Sequence, residues 1–317
     1  MSTALDVLTM GRVGVDVYPQ QIGVGLEDVA TFGKYLGGSP TNVAVAAARL
    51  GRNSAVVTRT GDDPFGRFVH AALRRFGVDD RFVSSVPGLP TPVTFCEIHP
   101  PDHFPLFFYR LPTAPDLQIR TDELDLDAIR SAAIFWVTGT GFCEEPSRSA
   151  TMAALEARHG HGATVLDLDY RPMFWADPAA ATAALQVALP LVDVAVGNLE
   201  ECEIAVGRST PEAAAEALLA AGPRLAVVKQ GPAGVLGRRD DELCTVAPTP
   251  VRVLNGLGAG DAFGGALCHG LLAGWELERL LSFASAAGAL VASRLACADA
   301  MPSVDGVADL LSRTATP

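Results

Sequence analysis

The feature that most constrains this chain is a glycine-rich segment near its C-terminus, NGLGAGDAFGG at residues 255–265. An alternating run at 251–254 before it predicts a β-strand, and the small residues at 262–272 after it predict a helix. A strand, a glycine turn and a helix N-terminus in succession are typical of an anion site, because the first N–H groups of a helix have no partner within the helix. Gly258 and Gly260 would let the backbone approach an oxyanion without an intervening Cβ.

Asp261 follows this turn directly, at the predicted start of the helix. A carboxylate there is poorly suited to hold phosphate, but it could take a proton from a hydroxyl while phosphate rests on the adjacent N–H groups. A simpler alternative is that Asp261 only caps the helix and complements its dipole. A dinucleotide-binding turn fits less well, because Asp261 replaces the final glycine and no ribose-binding acid follows at the usual distance. The segment alone leaves the catalytic and capping interpretations open.

Composition narrows the range of partners. The chain has 317 residues, of which 49% are hydrophobic and 19% charged, and this predicts a folded protein with a large core. A net charge of −12 without a cluster of Lys and Arg argues against nucleic acid and anionic membranes as partners. The six cysteines are scattered and the close histidine pairs lack further ligands at metal-site spacing, so we expect reduced thiols and no transition-metal site. No leader or membrane span is apparent, so we expect a cytoplasmic protein.

Strands and helices alternate regularly from about Leu124 onward, with predicted strands at 133–138, 164–168 and 192–196. This alternation predicts an α/β fold in which helices cover both faces of a parallel sheet. Residues 7–17 predict a first strand that ends near Asp16, which would place this carboxylate at the ligand-binding edge of the sheet. Two short predicted strands, at 91–97 and 105–110, fall outside the alternation.

Several motifs, taken together, resemble the ribokinase-like (PfkB) family of carbohydrate kinases. GAGDAF resembles the C-terminal signature of that family, and GGSPTNVAVAAARLG at 37–51 resembles its N-terminal signature. TGDDPFG at 60–66, Asn198-x-x-Glu201 and the closing Ala-Met-Pro-Ser occur in the family order. The resemblance covers nearly the whole chain. It implies one ribokinase-like kinase domain over 1–317, with a mostly parallel sheet flanked by helices on both faces and a small β-sheet lid formed by insertions at about 13–36 and 91–111.

The resemblance also implies roles for individual residues in transfer of the γ-phosphate of ATP to a sugar hydroxyl. Asp261 would be the base, and the anion hole would be formed by Gly258, Ala259 and Gly260. The nucleotide would lie along Asn198, Lys229, Gly231 and Gly234, with Mg2+ held through water by Glu201. The sugar would be bound by Asp16, Gly37, Gly38 and Asn42, with Arg110 and Arg171 near its acid end or the transferring phosphate. A surface-strand arginine is an equally good interpretation of Arg110.

Two departures from the family pattern affect these roles. Asp169 stands in DLDYRP where relatives have Asn, and its role is open. Asn255 and Gly256 replace the usual Asp-Thr, which argues against the Asp-linked monovalent-cation site of some members and leaves dependence on such a cation open.

Within the family, residues 11–39, the Phe-Tyr-Arg at 108–110 and DLDYRP at 167–172 look most like the 5-dehydro-2-deoxygluconokinases of inositol catabolism. We therefore expect a small sugar acid as substrate and, because family lids often pair with another subunit, a homodimer through the lid. The alternatives are kinases of the same family acting on 2-keto-3-deoxygluconate, fructose or ribose, a catalytically silent sugar-binding regulator, and a dinucleotide-dependent oxidoreductase. The intact Gly-Ala-Gly-Asp and Asn-x-x-Glu favour an enzyme over the silent regulator.

Overall fold

The computed structural model of the chain describes residues 4–314. In that range the strands are β1 Val7–Met10, β2 Gly14–Pro19, β3 Phe32–Gly37, β4 Ser54–Gly61, β5 Val78–Asp79, β6 Val83–Val86, β7 Val93–Cys96, β8 Leu106–Tyr109, β9 Ile134–Thr138, β10 Ala163–Asp167, β11 Val194–Asn198, β12 Leu225–Lys229, β13 Val235–Arg239 and β14 Glu242–Val246. The α-helices are α1 Ser39–Arg49, α2 Pro64–Phe76, α3 Leu126–Ser131, α4 Ser147–Arg158, α5 Pro178–Ala188, α6 Leu199–Val206, α7 Pro211–Ala220, α8 Ala259–Leu272, α9 Leu277–Ala292 and α10 Val304–Thr314.

The larger sheet has the strand order β14-β13-β12-β11-β10-β9-β1-β4-β5, with β6 paired to β4. From β12 to β5 every neighbouring pair is parallel, and β13 and β14 add an antiparallel edge. Two parallel neighbours must be joined by a crossover, and here the crossovers are the helices that the sequence pattern predicts. The expectation of a mostly parallel sheet between helical layers is confirmed.

Alternate residues of the central strands enter two separate cores. Leu8 and Phe135 pack among α3 to α7, whereas Val7, Ile134 and Trp136 pack against α1, α8 and α9. Successive side chains of a strand point to opposite faces, so strands with continuous apolar sequence need helices on both sides. This packing holds the N-terminus of α8 against one end of the sheet. No helix within residues 4–314 is both long enough and apolar enough to cross a bilayer.

A second sheet of four strands has the order β3-β2-β7-β8, and all its pairs except β2 with β7 are antiparallel. Its β8 alternates between two environments. Leu106 and Phe108 line the large cavity described below, while Phe107 and Tyr109 are exposed on the opposite face. The sheet therefore has one face towards the cavity and one aromatic face towards solvent.

Two predicted strands are wrong. Residues 7–17 form not one strand but two, because Gly11 adopts φ +136° and turns the chain out of the larger sheet between β1 and β2. Asp16 consequently lies in the middle of β2, and Arg12 takes the place at the end of β1 that the sequence assigned to Asp16. Residues 251–254 are not a strand either, since the N–H groups of Leu254 and Asn255 donate to the carbonyl of Ala292 at the end of α9.

Candidate active site

A cavity of about 770 Å³ lies where the carboxyl ends of the parallel strands meet the small sheet and the N-terminus of α8. Open α/β sheets bind ligands at this edge, because loops from neighbouring strands converge there. Its charged lining consists of Arg12, Asp16, Asp102, Asp167, Asp169, Arg171, Glu201, Lys229 and Asp261. The lining has six carboxylates and three cations, so the cavity disfavours an anionic ligand unless particular cations bind that ligand directly.

Asp261 is the third residue of α8 and is held by side chains of α1. One carboxylate oxygen accepts from the Ser39 hydroxyl at 2.8 Å, and the other accepts from the Asn42 amide nitrogen at 2.8 Å. Burial raises the pKa of Asp261, although the hydrogen bonds from Asn42 and Ser39 oppose that rise. The carboxylate therefore does not cap its own helix. It is positioned across a helix–helix contact and is a stronger base than an ordinary aspartate.

The turn before Asp261 requires a glycine at its first position. Gly258 has φ +79°, and a Cβ there would lie 2.6 Å from the sulfur of Cys297. A side chain would therefore meet both backbone strain and a clash. Gly258 forms the N-cap without any side-chain cap, and the Ala259 N–H donates to the Gly256 carbonyl at 3.4 Å, so among the first N–H groups of α8 those of Gly260 and Asp261 stay available to an anion.

Lys229, at the end of β12, brings an ammonium group to this same turn. A Cβ built on Gly260 would lie 3.4 Å from its Nζ, and Nζ is 3.9 Å from Asp167 Oδ1. Burial acts to lower the pKa of Lys229, but Asp167 and Glu201 outweigh it and raise the pKa above 10.5. A positive charge therefore sits beside the helix N-terminus at neutral pH.

Asp169, which follows β10, forms ion pairs with two arginines. Its Oδ1 is 2.9 Å from Arg171 Nη2 and its Oδ2 is 3.1 Å from Arg12 Nη2. Despite burial, Arg171 and Arg12 lower the pKa of Asp169. Its φ of +31° is a conformation that Asn and Asp tolerate better than other residues with a Cβ, so the backbone accommodates Asp where the family resemblance predicts Asn.

Glu201 and Asn198 form a reciprocal cap at the start of α6. The Asn198 side chain accepts from the Glu201 N–H at 2.8 Å, and Glu201 Oε2 accepts from the Asn198 N–H at 2.7 Å. Glu201 is 4% exposed, and its other oxygen is 3.6 Å from Arg171 Nη1. Burial raises the pKa of nearby Asp167 to about 7, with Lys229 opposing and Glu201 adding to the rise. The pair of carboxylates thus favours a further cation beside them.

The small sheet and α1 supply the opposite end of the cavity. Burial raises the pKa of Asp16 to about 6, against a hydrogen bond from the Tyr18 hydroxyl at 3.0 Å. Gly38 lines the cavity, whereas Gly37 does not; a Cβ on Gly37 would overlap the Asp16 carboxylate, so its role is to leave room. Asn42 Oδ1 is buried and has no hydrogen-bond partner within residues 4–314.

Gly231 and Gly234 lie in the β12–β13 hairpin, and both line the cavity together with Asn198. A Cβ on Gly234, at φ +94°, would overlap the carbonyl of Val246 on the neighbouring strand. Asn255 is fully buried and uses both amide atoms on backbone, donating to Leu295 O at 2.7 Å and accepting from Leu257 N at 3.0 Å. This side chain offers no anionic ligand to a monovalent cation.

The structure does not bring Arg110 together with the other predicted residues. Arg110 is absent from the cavity lining and donates to Asp116 Oδ2 at 2.9 Å, and that aspartate is 1% exposed. Arg12 and Ser39, which the sequence analysis did not propose, lie in the cavity instead. Arg12 directly follows the first buried strand, and a residue in that position is a candidate for the ligand-binding edge of the sheet. The prediction of one strand over residues 7–17 placed Arg12 inside the strand instead.

Comparison with known proteins agrees with this geometry. The chain matches the pfkB family of carbohydrate kinases over residues 4–304. The 5-dehydro-2-deoxygluconokinase of Clostridium tetani is 35% identical over 311 residues, covering 96% of this chain and 91% of the relative. The enzyme of the same name from Geobacillus thermodenitrificans is 32% identical over 310 residues, covering 96% and 92%. A solved structure assigned as ribokinase II of E. coli, in complex with ATP and Mg2+, has the same fold, with a TM-score of 0.88 at 24% identity over 98% of this chain and 99% of that one.

Proposed function

The chain belongs to the pfkB family of carbohydrate kinases, and from that premise we propose that it transfers the γ-phosphate of ATP to the primary hydroxyl of 5-dehydro-2-deoxygluconate. One observation carries the chemistry: the buried Asp261 carboxylate, held by Ser39 and Asn42, stands at the uncapped N-terminus of α8. The names of the full-length relatives from Clostridium and Geobacillus support this sugar acid over the neutral sugars.

Each part of the cavity has a separate task in this reaction. Asp261 accepts the proton of the sugar hydroxyl, which makes that oxygen a nucleophile. The N–H groups that follow Gly258, together with the Lys229 ammonium, stabilise the negative charge on the transferred phosphoryl group. Asp16, Gly38 and the unpartnered Oδ1 of Asn42 bind sugar hydroxyls, and the β12–β13 hairpin lies along the nucleotide.

The residues at the phosphate end also fit a magnesium ion. Asp167 and Glu201 are buried carboxylates that line the cavity, and the negative charge of Glu201 still raises the pKa of Asp167 although burial is the larger cause and Lys229 opposes the rise. No group of three His, Cys, Asp or Glu side chains within the described chain is arranged to hold a metal directly, so we propose that Glu201 acts through water. Mg2+, when bound, neutralises charge on the phosphates of the nucleotide. Asn255 does not supply the anionic ligand of an Asp-linked monovalent-cation site, so a monovalent cation, if one is used, would need other ligands.

A substrate panel tests the proposed function. ATP consumption would be measured with 5-dehydro-2-deoxygluconate, 2-keto-3-deoxygluconate, fructose and ribose, each with and without Mg2+. We expect the highest kcat/KM with 5-dehydro-2-deoxygluconate and no turnover without Mg2+. A preference for another sugar would contradict the substrate assignment but would not affect the family membership. Binding of a sugar without turnover of any would instead favour a silent regulator.

Replacing Glu201 by Gln should raise the Mg2+ concentration needed for half-maximal rate by about tenfold to a hundredfold, the usual effect of losing an outer-shell partner. Gln keeps an oxygen for the Asn198 N–H, so the helix cap survives while the charge is lost. The KM for the sugar should change much less. Glu200→Gln, in the same first turn but exposed, serves as the control. A rise in sugar KM at an unchanged Mg2+ requirement would show that Glu201 has another role.

We also propose that the chain is a single kinase domain with the small sheet, within 13–36 and 91–111, as its lid. The outward face of that sheet exposes Phe32, Phe107 and Tyr109 at 38%, 41% and 66%. Contiguous exposed aromatics of this kind are typical of an interface, so we propose a homodimer through this face. Light scattering should give a dimer for the wild type and a monomer for a Phe107→Glu, Tyr109→Glu double variant. A monomeric wild type would rule this out.

The reaction is further proposed to take place in the cytoplasm. All six cysteines are free thiols, which suits a reducing compartment. Cell fractionation with detection of the chain would test this, and recovery in a secreted fraction would contradict it.

A further inference from the structure

We infer that Arg12, rather than Arg110, recognises the acid group of the substrate. The inference rests on the proposed function, since it needs a sugar acid as substrate, and it names the residue that selects this acid over a neutral sugar. The carboxylates around the cavity outnumber its cations, so an anionic sugar needs a cation dedicated to it.

The backbone places Arg12 at the sugar end of the cavity. It directly follows β1 and the turn at Gly11, and its carbonyl accepts from the Thr41 hydroxyl at 2.9 Å. Thr41 belongs to α1, the helix whose Ser39 and Asn42 hold Asp261. Arg12 is therefore fixed relative to the base. Arg12 and Asp16 line the same cavity, where burial raises the pKa of Asp16 and the positive charge of Arg12 opposes that rise.

The guanidinium is held on one edge and free on another. Its Nε donates to Thr140 Oγ1 at 3.2 Å and its Nη2 donates to Asp169 Oδ2 at 3.1 Å. Within residues 4–314 its Nη1 makes no hydrogen bond, so the edge formed by Nη1 and the second hydrogen of Nη2 remains for a ligand. The rings of Phe108 and Phe174 lie 5.8 and 5.6 Å from the guanidinium carbon and restrict the rotation of the side chain. A rigid planar fork of this kind matches a carboxylate with two parallel hydrogen bonds.

Charge distinguishes Arg12 from the other two cations of the cavity. Arg171 contacts two carboxylates, Asp169 at 2.9 Å and Glu201 at 3.6 Å. Lys229 stands between Asp167 and the phosphate turn. Arg12 forms one ion pair, with Asp169, and it shares that group with Arg171. Since Arg171 is held by two carboxylates and Lys229 lies beside the phosphate turn, Arg12 is the cation of the three that remains for an acid group of the substrate.

Arg110 is the natural comparison, because both arginines lie against the same ring. Its guanidinium carbon is 4.8 Å from the centre of Phe174, but its charge is matched by the buried Asp116 outside the cavity lining. Arg110 is thus a structural partner of Asp116. Substituting each arginine by Gln breaks one buried ion pair and keeps a hydrogen-bonding side chain, which makes the two variants a matched pair.

The experiment compares wild type, Arg12→Gln and Arg110→Gln with 5-dehydro-2-deoxygluconate and with its neutral carboxamide. Arg12→Gln should lower kcat/KM for the acid by about tenfold to a hundredfold, because a hydrogen-bonded charge pair is lost, and should change the carboxamide and the KM for ATP little. Arg110→Gln should keep the wild-type ratio of acid to carboxamide.

The outcomes separate the two hypotheses. A wild type that does not prefer the acid contradicts the proposed substrate class. A wild type that prefers it, with the preference unchanged in Arg12→Gln or lost equally in Arg110→Gln, overturns only the role of Arg12. If Arg12→Gln does not fold, as its thermal melt would show, Arg12→Lys replaces it. Lys keeps the charge without the planar fork and should still reduce the acid preference, so an unchanged preference there also overturns the inference.

Discussion

Replacing Asp261 by Asn is expected to lower kcat by about 10²–10⁴-fold, while the KM for ATP stays close to the wild-type value. Asn has nearly the same shape and can still meet the Ser39 and Asn42 side chains, but it cannot take a proton. Steady-state rates with saturating ATP would measure the effect. Asp177→Asn is the control, since Asp177 is an exposed aspartate that does cap a helix, α5, by accepting from Ala180 N at 2.8 Å. Asp261→Asn with wild-type turnover would leave Asp261 without a catalytic role.

The pH dependence gives the same assignment a second test. A base works only when deprotonated, so the rate falls as pH falls through its pKa. Because burial raises the pKa of Asp261, the acid limb of kcat should lie above the ordinary aspartate value of 3.8. The Ser39 hydrogen bond lowers that pKa, so Ser39→Ala should raise it and move the limb to higher pH. A limb that stays in place would mean that another group, such as Asp16 or Asp167, governs it.

Replacing Lys229 by Met is expected to lower kcat by about 10²–10³-fold, the typical loss when one donor to a developing negative charge is removed. The ammonium lies beside the helix N-terminus at Gly260, where we propose that the negative charge of the transferring phosphoryl group is stabilised. Met keeps most of the length of the side chain and removes the charge. Single-turnover rates would separate the chemical step from ATP binding.

The chain offers an unusually clean control for this variant, because Lys34 and Lys229 are its only lysines. Lys34 is exposed on the small sheet, where its Nζ lies 4.0 Å from the centre of the Phe68 ring. Lys34→Met should therefore keep wild-type kcat. If Lys229→Met raises the KM for ATP at unchanged kcat, the lysine binds ATP equally in ground and transition states and does not assist transfer.

The sequence by itself determined the features that depend on neighbouring residues. Strand and helix periodicity predicted the parallel sheet between helical layers, and it placed β9, β10 and β11 within two residues of their observed bounds. The glycine turn before Asp261 was predictable from the sequence because a backbone at φ +79°, as at Gly258, favours glycine. The helix that follows could also be predicted, because its pattern lies in neighbouring residues. The reciprocal cap of Asn198 and Glu201 spans three residues, and so it too was visible in the chain.

Only the tertiary structure decided which distant groups meet. Ser39 and Asp261 are 222 positions apart, and Arg12 and Asp169 are 157 apart, so no local pattern couples them. Periodicity also could not show that Gly11 sends the chain from one sheet into another, because strands in either sheet alternate in the same way. Because of that single turn, Arg12 and not Asp16 follows the first strand of the larger sheet. Likewise, an arginine at the end of a predicted strand has the same local sequence pattern whether it faces a substrate or a buried carboxylate, and only the tertiary structure shows the ion pair of Arg110 with Asp116.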